Sequence, residues 1–185
     1  MSSLALALRL ICLAAFCAGL AATTPSPAIA QSQSQNAQLG PSGLPLPRFV
    51  SLRAPRANLR VGPGTDYAVQ WTFVRSGVPL EIVQEYDNWR RVRDAEGAEG
   101  WINHSLLSGN RTAIVAPWEK GQIPELPLRA QPDETARVVA RLEPGLMGEL
   151  RSCDGKWCEM DFSGVRGWIS QARIWGAYPD ETYGD

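Results

Sequence analysis

The fold is decided by residues 58–107, which read NLRVGPGTDYAVQWTFVRSGVPLEIVQEYDNWRRVRDAEGAEGWINHSLL. Short runs of β-branched and aromatic residues, such as AVQWTFV (68–74) and PLEIVQE (79–85), alternate in this stretch with clusters of Gly, Pro, Asn and Asp. Short runs bounded by turn-forming residues are typical of strands, and no long segment shows the period of a helix. The sequence therefore predicts a small all-β domain with frequent turns.

The same pattern occurs a second time further along the chain. Four features of the first copy recur in the same order and with nearly constant spacing. They are Leu59-Arg60 and Leu128-Arg129, Gly77 and Gly145, Trp89 and Trp157, and Gly100-Trp101-Ile102 and Gly167-Trp168-Ile169. A repeated unit of this length can form one small barrel. We therefore expect two tandem barrels, at residues 49–116 and 118–178.

Both copies resemble the bacterial SH3-like (SH3b) domains. The first copy has N-L-R-x-G-P-G near its start, a central glycine, W-x-x-V, and a closing G-W-I. The second copy, LPLRAQPDETARVVARLEPGLMGELRSCDGKWCEMDFSGVRGWIS (126–170), keeps fewer of these marks and lacks the G-P-G. The resemblance implies two SH3-like β-barrels and a noncatalytic module. Relatives of this type are often fused to cell-wall hydrolases and contact peptidoglycan or partner proteins.

The first thirty residues have the pattern of an export signal. An apolar run that follows the single charge of Arg9 precedes Ala28-Ile29-Ala30, which has the small-x-small form of a signal peptidase site. We expect cleavage after Ala30, a periplasmic or secreted protein, and no membrane span in the mature chain. Retention as a membrane anchor is the alternative, although the apolar run is shorter than the ~20 residues of a span.

The segments that flank the two barrels have compositions of their own. Residues 31–48 are rich in Gln, Ser, Gly and Pro, which cannot bury enough apolar surface to order a chain, so they predict a flexible linker. Residues 179–185 predict an acidic tail with frayed ends. Trp118 lies between the two copies, and we expect it to fill the interface between the barrels.

The cysteines support export and predict a disulfide. Cys12 and Cys17 lie in the export signal, so the mature chain keeps only Cys153 and Cys158. An isolated pair in an exported domain usually forms a disulfide. A zinc site needs about two more ligands, a redox motif has the spacing C-x-x-C, and the sequence predicts neither. The repeat aligns Cys153 with Glu85 and Cys158 with Arg90. If a four-residue loop joins the two strands, these positions face each other directly, whereas a two-residue turn at Asp154-Gly155 would leave the cysteines diagonal, so the disulfide favours the longer loop.

The composition argues against several classes of function. A formal net charge of −1, with 18 basic and 19 acidic residues, does not indicate the broad basic surface that binds nucleic acid. A cysteine peptidase needs a free cysteine and a nearby histidine, but the mature cysteines are assigned to each other and His104 is the single histidine. We therefore predict that the protein is not an enzyme, and the sequence indicates no cofactor and no metal site.

The tryptophans are the candidate ligand-binding residues. Trp89 lies three positions before Val92, and Trp157 three before Met160, so an unbroken strand places each pair on opposite faces. Tryptophans exposed at matched places in both barrels would be binding anchors. We therefore assign ligand binding to Trp89, Trp101, Trp157 and Trp168, with burial against the linker or the sister barrel as the alternative.

Together these features predict an exported binding module that contacts cell-wall peptide or an envelope protein. A structural scaffold subunit, with the two barrels packed on each other, is one alternative. An unrecognised cell-wall hydrolase is the other. The sequence predicts neither the identity of the ligand nor the oligomeric state.

Overall fold

The computed structural model describes residues 38–184, all of which belong to one compact unit. The predicted export signal at residues 1–30, the first part of the predicted linker at residues 31–37, and the last residue of the tail lie outside the described residues. In the part of the chain that is described, no helix combines the length and the apolar character that crossing a membrane requires.

The protein is all-β, and the first barrel is one curled antiparallel sheet of seven strands. These are β3 (Arg48–Leu52), β4 (Ala57–Arg60), β5 (Val69–Phe73), β6 (Pro79–Tyr86), β7 (Trp89–Arg93), β8 (Glu99–Asn103) and β9 (Leu107–Ser108). Their order in the sheet is β5-β4-β8-β7-β6-β3-β9. Two further short strands, β1 (Gln38–Leu39) and β2 (Pro45–Leu46), pair only with each other and form a hairpin that precedes this sheet.

The second barrel repeats the first strand for strand. Its members are β10 (Thr112–Val115), β11 (Leu126–Arg129), β12 (Val138–Leu142), β13 (Met147–Asp154), β14 (Trp157–Phe162), β15 (Val165–Ser170) and β16 (Ile174–Trp175). Their order is β12-β11-β15-β14-β13-β10-β16, and a last strand, β17 (Thr182–Tyr183), pairs with β13. The predicted all-β fold with two tandem SH3-like barrels is therefore confirmed.

The boundary between the barrels lies earlier than the sequence suggested. Strand β10 was expected in the first barrel, but it pairs with β13 and β16, just as β3 pairs with β6 and β9. Ala113 and Val115 are fully buried in the core of the second barrel. The apolar residues of β10 therefore stabilise the second barrel, and the boundary falls between Ser108 and Thr112 rather than after Ala116.

Each barrel has its own hydrophobic core, formed by one side of each strand. In the first barrel the fully buried side chains include Leu59, Leu80, Ile82, Val92 and Ile102. The second barrel uses Leu128, Met160 and Ile169 in the same way. Burial of these groups is the main favourable contribution to folding, at about 1.5–3 kcal/mol for each large side chain.

The glycine of the G-W-I triplet is needed for the strands to approach each other. A Cβ atom on Gly100 would lie 2.5 Å from Cγ of Leu59 and 2.9 Å from the carbonyl oxygen of Arg60. In the second barrel, a Cβ atom on Gly167 would lie 2.6 Å from the carbonyl oxygen of Arg129. No side chain fits at either position, so the repeated motif has the same steric cause in both copies.

The predicted flexible linker is ordered in its described part. Residues 38–46 form the β1–β2 hairpin, with Gln38 opposite Leu46. The hairpin is fastened to the first barrel through Glu85, whose carboxylate accepts hydrogen bonds from the backbone N–H and the hydroxyl of Ser42, both at 2.8 Å. The composition of this segment did not indicate order because the residue that fastens it lies far along the chain.

The C-terminal segment is also anchored rather than frayed. Strand β17 pairs with β13, with Tyr183 opposite Cys153. Glu181 accepts hydrogen bonds from both terminal nitrogens of Arg111, at 2.9 and 3.1 Å. The guanidinium of Arg111 lies 4.7 Å from the centre of the Tyr183 ring. The acidic residue that suggested a solvated tail therefore forms an ion pair with a buried arginine.

Aromatic rings fill the interface between the barrels, and Trp118 is not among them. The ring of Phe49 lies 5.0 Å from that of Trp175 and 4.7 Å from that of Tyr178, centre to centre. The Tyr178 hydroxyl donates to Glu81 at 3.0 Å, and burial, together with this carboxylate, raises the pKa of Tyr178. Trp118 is 48% exposed, so its expected place in the interface was wrong.

The disulfide and the register that it implies are both present. Cys153 and Cys158 are bonded, and they face each other directly across the β13–β14 hairpin. At the same register of the first barrel, Glu85 faces Arg90, and their side chains form an ion pair at 3.1 Å. The second barrel thus has a covalent cross-link where the first has an acid–base pair. The expected four-residue loop is wrong, because β13 continues through Asp154 and β14 begins at Trp157, so that only Gly155 and Lys156 connect the two strands.

Candidate functional site

The four candidate tryptophans form one pair in each barrel. Trp89 on β7 faces Asn103 on β8, and Trp101 on β8 faces Arg91 on β7, so the two indoles belong to the same face of the first sheet. Trp157 and Trp168 have the same arrangement on β14 and β15 of the second sheet. Their ligand-binding role stays a prediction.

Strand alternation accounts for the position of these indoles. Val92 and Met160 are 1% and 0% exposed, so both point into a core. All four tryptophans are partly exposed, on the opposite face of their strands. This is the arrangement expected for an unbroken strand, and it leaves the indoles available at the surface of each barrel.

A groove of about 360 Å³ opens beside Trp89 in the first barrel. It lies between the strand β4, the loop that follows it, and the 3-10 turn His104–Leu106. The lining residues are Arg56, Ala57, Asn58, Arg60, Thr65, Trp89, Asn103 and Leu106. Of the four candidate tryptophans, only Trp89 lines this groove. The other seven residues were not among the predicted site residues.

The loop at the edge of this groove, residues 61–68, is held in place by Arg60. The Nη1 atom of Arg60 donates to the carbonyl oxygen of Tyr67 at 2.6 Å. The Tyr67 ring lies over the glycines of the G-P-G motif, because a Cβ atom on Gly62 would lie 2.3 Å from it. Arg129 makes the equivalent contact with Ala136 at 2.9 Å. The arginine of the repeated Leu-Arg pair therefore braces the same loop in both barrels.

The amide groups of the groove present mainly donors to a ligand. The side-chain oxygen of Asn58 accepts from the hydroxyl of Thr72 at 2.9 Å, and that of Asn103 accepts from the backbone N–H of Ser105 at 3.0 Å. Each asparagine thereby uses its acceptor within the barrel and keeps its NH2 group for other partners.

The first barrel also exposes apolar side chains that the second barrel lacks. Tyr67 and Trp71 are 49% and 60% exposed. Their equivalents in the second copy are Ala136 and Ala140. A second groove of about 460 Å³ lies beside Trp71 and has Asp94 and Glu96 among its lining residues. Tyr67 and Trp71 were not predicted as site residues, although the loss of both aromatics from the second copy was a signal in the sequence.

The Glu85 carboxylate, which forms ion pairs with two arginines of the first barrel, has a structural role. The Glu85 side chain is 1% exposed and lies between Arg48 at 2.7 Å and Arg90 at 3.1 Å. Burial alone would raise the pKa of this carboxyl, but hydrogen bonds from Ser42 and Arg48 outweigh that effect and lower its pKa to about 2. A carboxylate that is ionised at neutral pH and has partners on both oxygens holds the hairpin to the barrel.

The described cysteines, the histidine and the potential metal ligands are not grouped into one site. Both described cysteines are in the disulfide, and His104 is exposed in its 3-10 turn. Among residues 38–184, no three or more His, Cys, Asp and Glu side chains are grouped so that they could hold a metal ion. The chemistry available at the groove is therefore hydrogen bonding, charge pairing and contact with an indole.

The solved structures that are similar to this chain include three that are each 12% identical to it. NlpC1 from Trichomonas vaginalis matches with a TM-score of 0.30 over 69% of this chain and 45% of its own. NlpC2 from the same organism matches with a TM-score of 0.31 over 71% and 48%. An NlpC/P60 family protein from Bacillus cereus ATCC 10987 matches with a TM-score of 0.30 over 71% and 57%. This chain thus spans about half the length of these proteins.

The family model gives the decisive comparison. None of the curated proteins matches the chain. The model of the bacterial SH3 domain matches it twice, at residues 53–109 and 122–176. These two segments make up more than half of the chain, and each falls within one of the two sheets, apart from the turn that leads into β11. The chain therefore belongs to the bacterial SH3 domain family, with one copy of the domain in each barrel.

Proposed function

We propose that this protein is a noncatalytic, exported binding module that contacts cell-wall peptide or an envelope protein through the groove beside Trp89. The groove is the single observation that carries the proposal. It combines a partly exposed indole with several hydrogen-bond donors, the mixture of apolar contact and convergent polar groups that is typical of ligand sites. Membership of the bacterial SH3 domain family supports a binding role.

The alternative of a scaffold subunit has support of its own. The barrels contact each other through Phe49, Trp175 and Tyr178, as a scaffold of two packed barrels requires. However, a scaffold without a ligand would bury Trp89, Trp101, Trp157 and Trp168, and all four are partly exposed. The binding role therefore accounts for more of the structure. The groove beside Trp89 gives no such support to a hydrolase, because its lining contains no carboxylate, cysteine or histidine.

Binding to isolated cell wall tests the proposal. We expect the protein to sediment with purified peptidoglycan sacculi and Trp89→Ala to lower the bound fraction by about tenfold or more, because anchor aromatics commonly contribute at least 2 kcal/mol. Trp157→Ala, the matched change in the second barrel, is the control and should bind like the parent. Unchanged binding by Trp89→Ala would place the site elsewhere, and equal loss in both variants, with unchanged thermal unfolding, would mean that both barrels bind.

A further inference from the structure

The lining of the groove beside Trp89 contains two arginines and no acidic residue. Its charged lining residues are Arg56 and Arg60, and the remaining polar lining residues are Asn58, Asn103 and Thr65. Neither arginine forms an ion pair with a carboxylate within residues 38–184. The two amide oxygens are already used by Thr72 and Ser105. The groove is therefore rich in donors and poor in acceptors.

The second barrel supplies an internal comparison, because the strand registers align its residues one by one. Ala57 faces Phe73 just as Leu126 faces Leu142, so these two pairs occupy equivalent positions. Trp89 faces Asn103 where Trp157 faces Ser170. The equivalents of Arg56, Asn58, Thr65 and Leu106 are Glu125, Pro127, Glu134 and Arg173. Two carboxylates are thus added, the donors of Arg56, Asn58 and Thr65 are lost, and one arginine is gained.

The charges of the second barrel are also neutralised locally. Arg129, the equivalent of Arg60, lies 3.7 Å from Glu134. Arg173 pairs with Glu119, and Arg141 lies 4.0 Å from Glu125. Trp157 is retained at the position of Trp89, but the arginines around it form ion pairs with carboxylates of the same barrel. A ligand that binds through acceptor groups would therefore find partners at the first barrel and meet carboxylates at the second.

We infer that the groove of the first barrel binds a peptide through its free carboxylate groups, and that the equivalent surface of the second barrel does not. Arg56, which is exposed, and the amides of Asn58 and Asn103 donate to the carboxylate, while Trp89 and Leu106 contact the aliphatic part of the ligand. Guanidinium–carboxylate hydrogen bonds are among the stronger polar contacts of proteins. The inference rests on the proposed function and names the chemical class that the site takes.

The experiment compares purified sacculi with sacculi whose carboxylates have been converted to amides, using the mature chain in both arms. We expect amidation to weaken binding by about tenfold or more, as loss of a charge-assisted hydrogen bond does. Arg56→Glu should weaken binding to untreated sacculi by a similar factor and remove the difference between the two preparations. Glu125→Gln, at the matched position of the second barrel, should change neither.

A second pair of probes separates this inference from the proposed function. Oligoglutamate and oligoglutamine peptides are titrated while tryptophan fluorescence is followed. Binding to oligoglutamate alone, lost in Arg56→Glu, supports carboxylate recognition even where sacculi do not bind, and an envelope protein then becomes the partner. Equal binding to untreated and amidated sacculi overturns the carboxylate site but keeps the cell-wall role. Failure to bind any of the four probes overturns both.

Discussion

At the scale of single residues, the Glu85 carboxylate makes a testable contribution to stability. Its pKa in the folded protein is about 2, below the ordinary value of 4.5, so it stabilises the fold fully above about pH 5. This contribution is lost as the pH falls towards 2. A depression of this size corresponds to about 3 kcal/mol. We predict that Glu85→Gln lowers the free energy of unfolding by about that amount at pH 7, measured by urea denaturation.

The pH dependence distinguishes this role from a loss of packing. The difference between parent and Glu85→Gln should shrink steadily from pH 5 to pH 2.5, because over that range the carboxylate takes up a proton in the unfolded parent while it stays largely ionised in the folded one. Glu99→Gln is the control, since its ion pair with Arg91 at 2.8 Å is partly exposed and should contribute less than about 1 kcal/mol. A difference that stays constant with pH would contradict the role of the charge.

At the scale of elements, the disulfide fixes the β13–β14 hairpin and, through it, β17. Cys153 faces Cys158 on one side and Tyr183 on the other, so the cross-link lies next to the last strand. We predict that replacing both cysteines by serine lowers the free energy of unfolding by about 2 kcal/mol, the modest value expected for a short closed loop. Amide hydrogen exchange at Thr182 and Tyr183 should become faster in the variant.

Reduction of the parent protein is the matched control for this change. A thiol reductant should destabilise the parent and leave the double serine variant unaffected. In unreduced, unfolded protein that begins at Gln31, thiol titration should detect no free cysteine. Two free thiols in such material, or unchanged exchange in β17, would contradict the structural role of the disulfide.

The sequence predicts an element correctly when the residues that hold it in place are close in the chain, and it fails when those residues are distant. Cys153 and Cys158 were correctly placed opposite each other because the hairpin is local and the repeat aligned them with Glu85 and Arg90. The β1–β2 hairpin was expected to be flexible because its order depends on Glu85, far along the chain. Strand β10 was assigned to the wrong barrel for the same reason, since its partners β13 and β16 come later.

For the candidate site, too, the sequence identified one residue of the groove and missed others. Trp89 was identified from the strand period alone, because alternation decides which side chains face outwards. Arg56 and Asn58 were missed because a groove depends on how a loop and a turn approach each other, which no local pattern reports. The sequence shows Glu125 and Pro127 in the second copy, but the strand register is needed to recognise that they replace Arg56 and Asn58.

At the scale of the whole molecule, the two barrels are joined by Phe49, which contacts Trp175 and Tyr178 of the second barrel's C-terminal part. Its ring also lies 5.5 Å from the guanidinium of Arg111, which lies in the segment that connects the two sheets. Removing this ring should loosen the interface while leaving each core intact. We predict that Phe49→Ala increases the rate of tryptic cleavage after Arg111, measured under native conditions.

Trp118→Ala is the control, because Trp118 is 48% exposed and its removal should leave the cleavage rate unchanged. Phe49→Leu should give an intermediate rate, since it keeps apolar contact but loses the edge contact with Trp175. Arg111 is itself buried and paired with Glu181, so cleavage reports opening of the junction rather than simple exposure. Faster cleavage in Trp118→Ala than in Phe49→Ala would contradict the role of Phe49 and indicate that Trp118 holds the interface, as the sequence suggested.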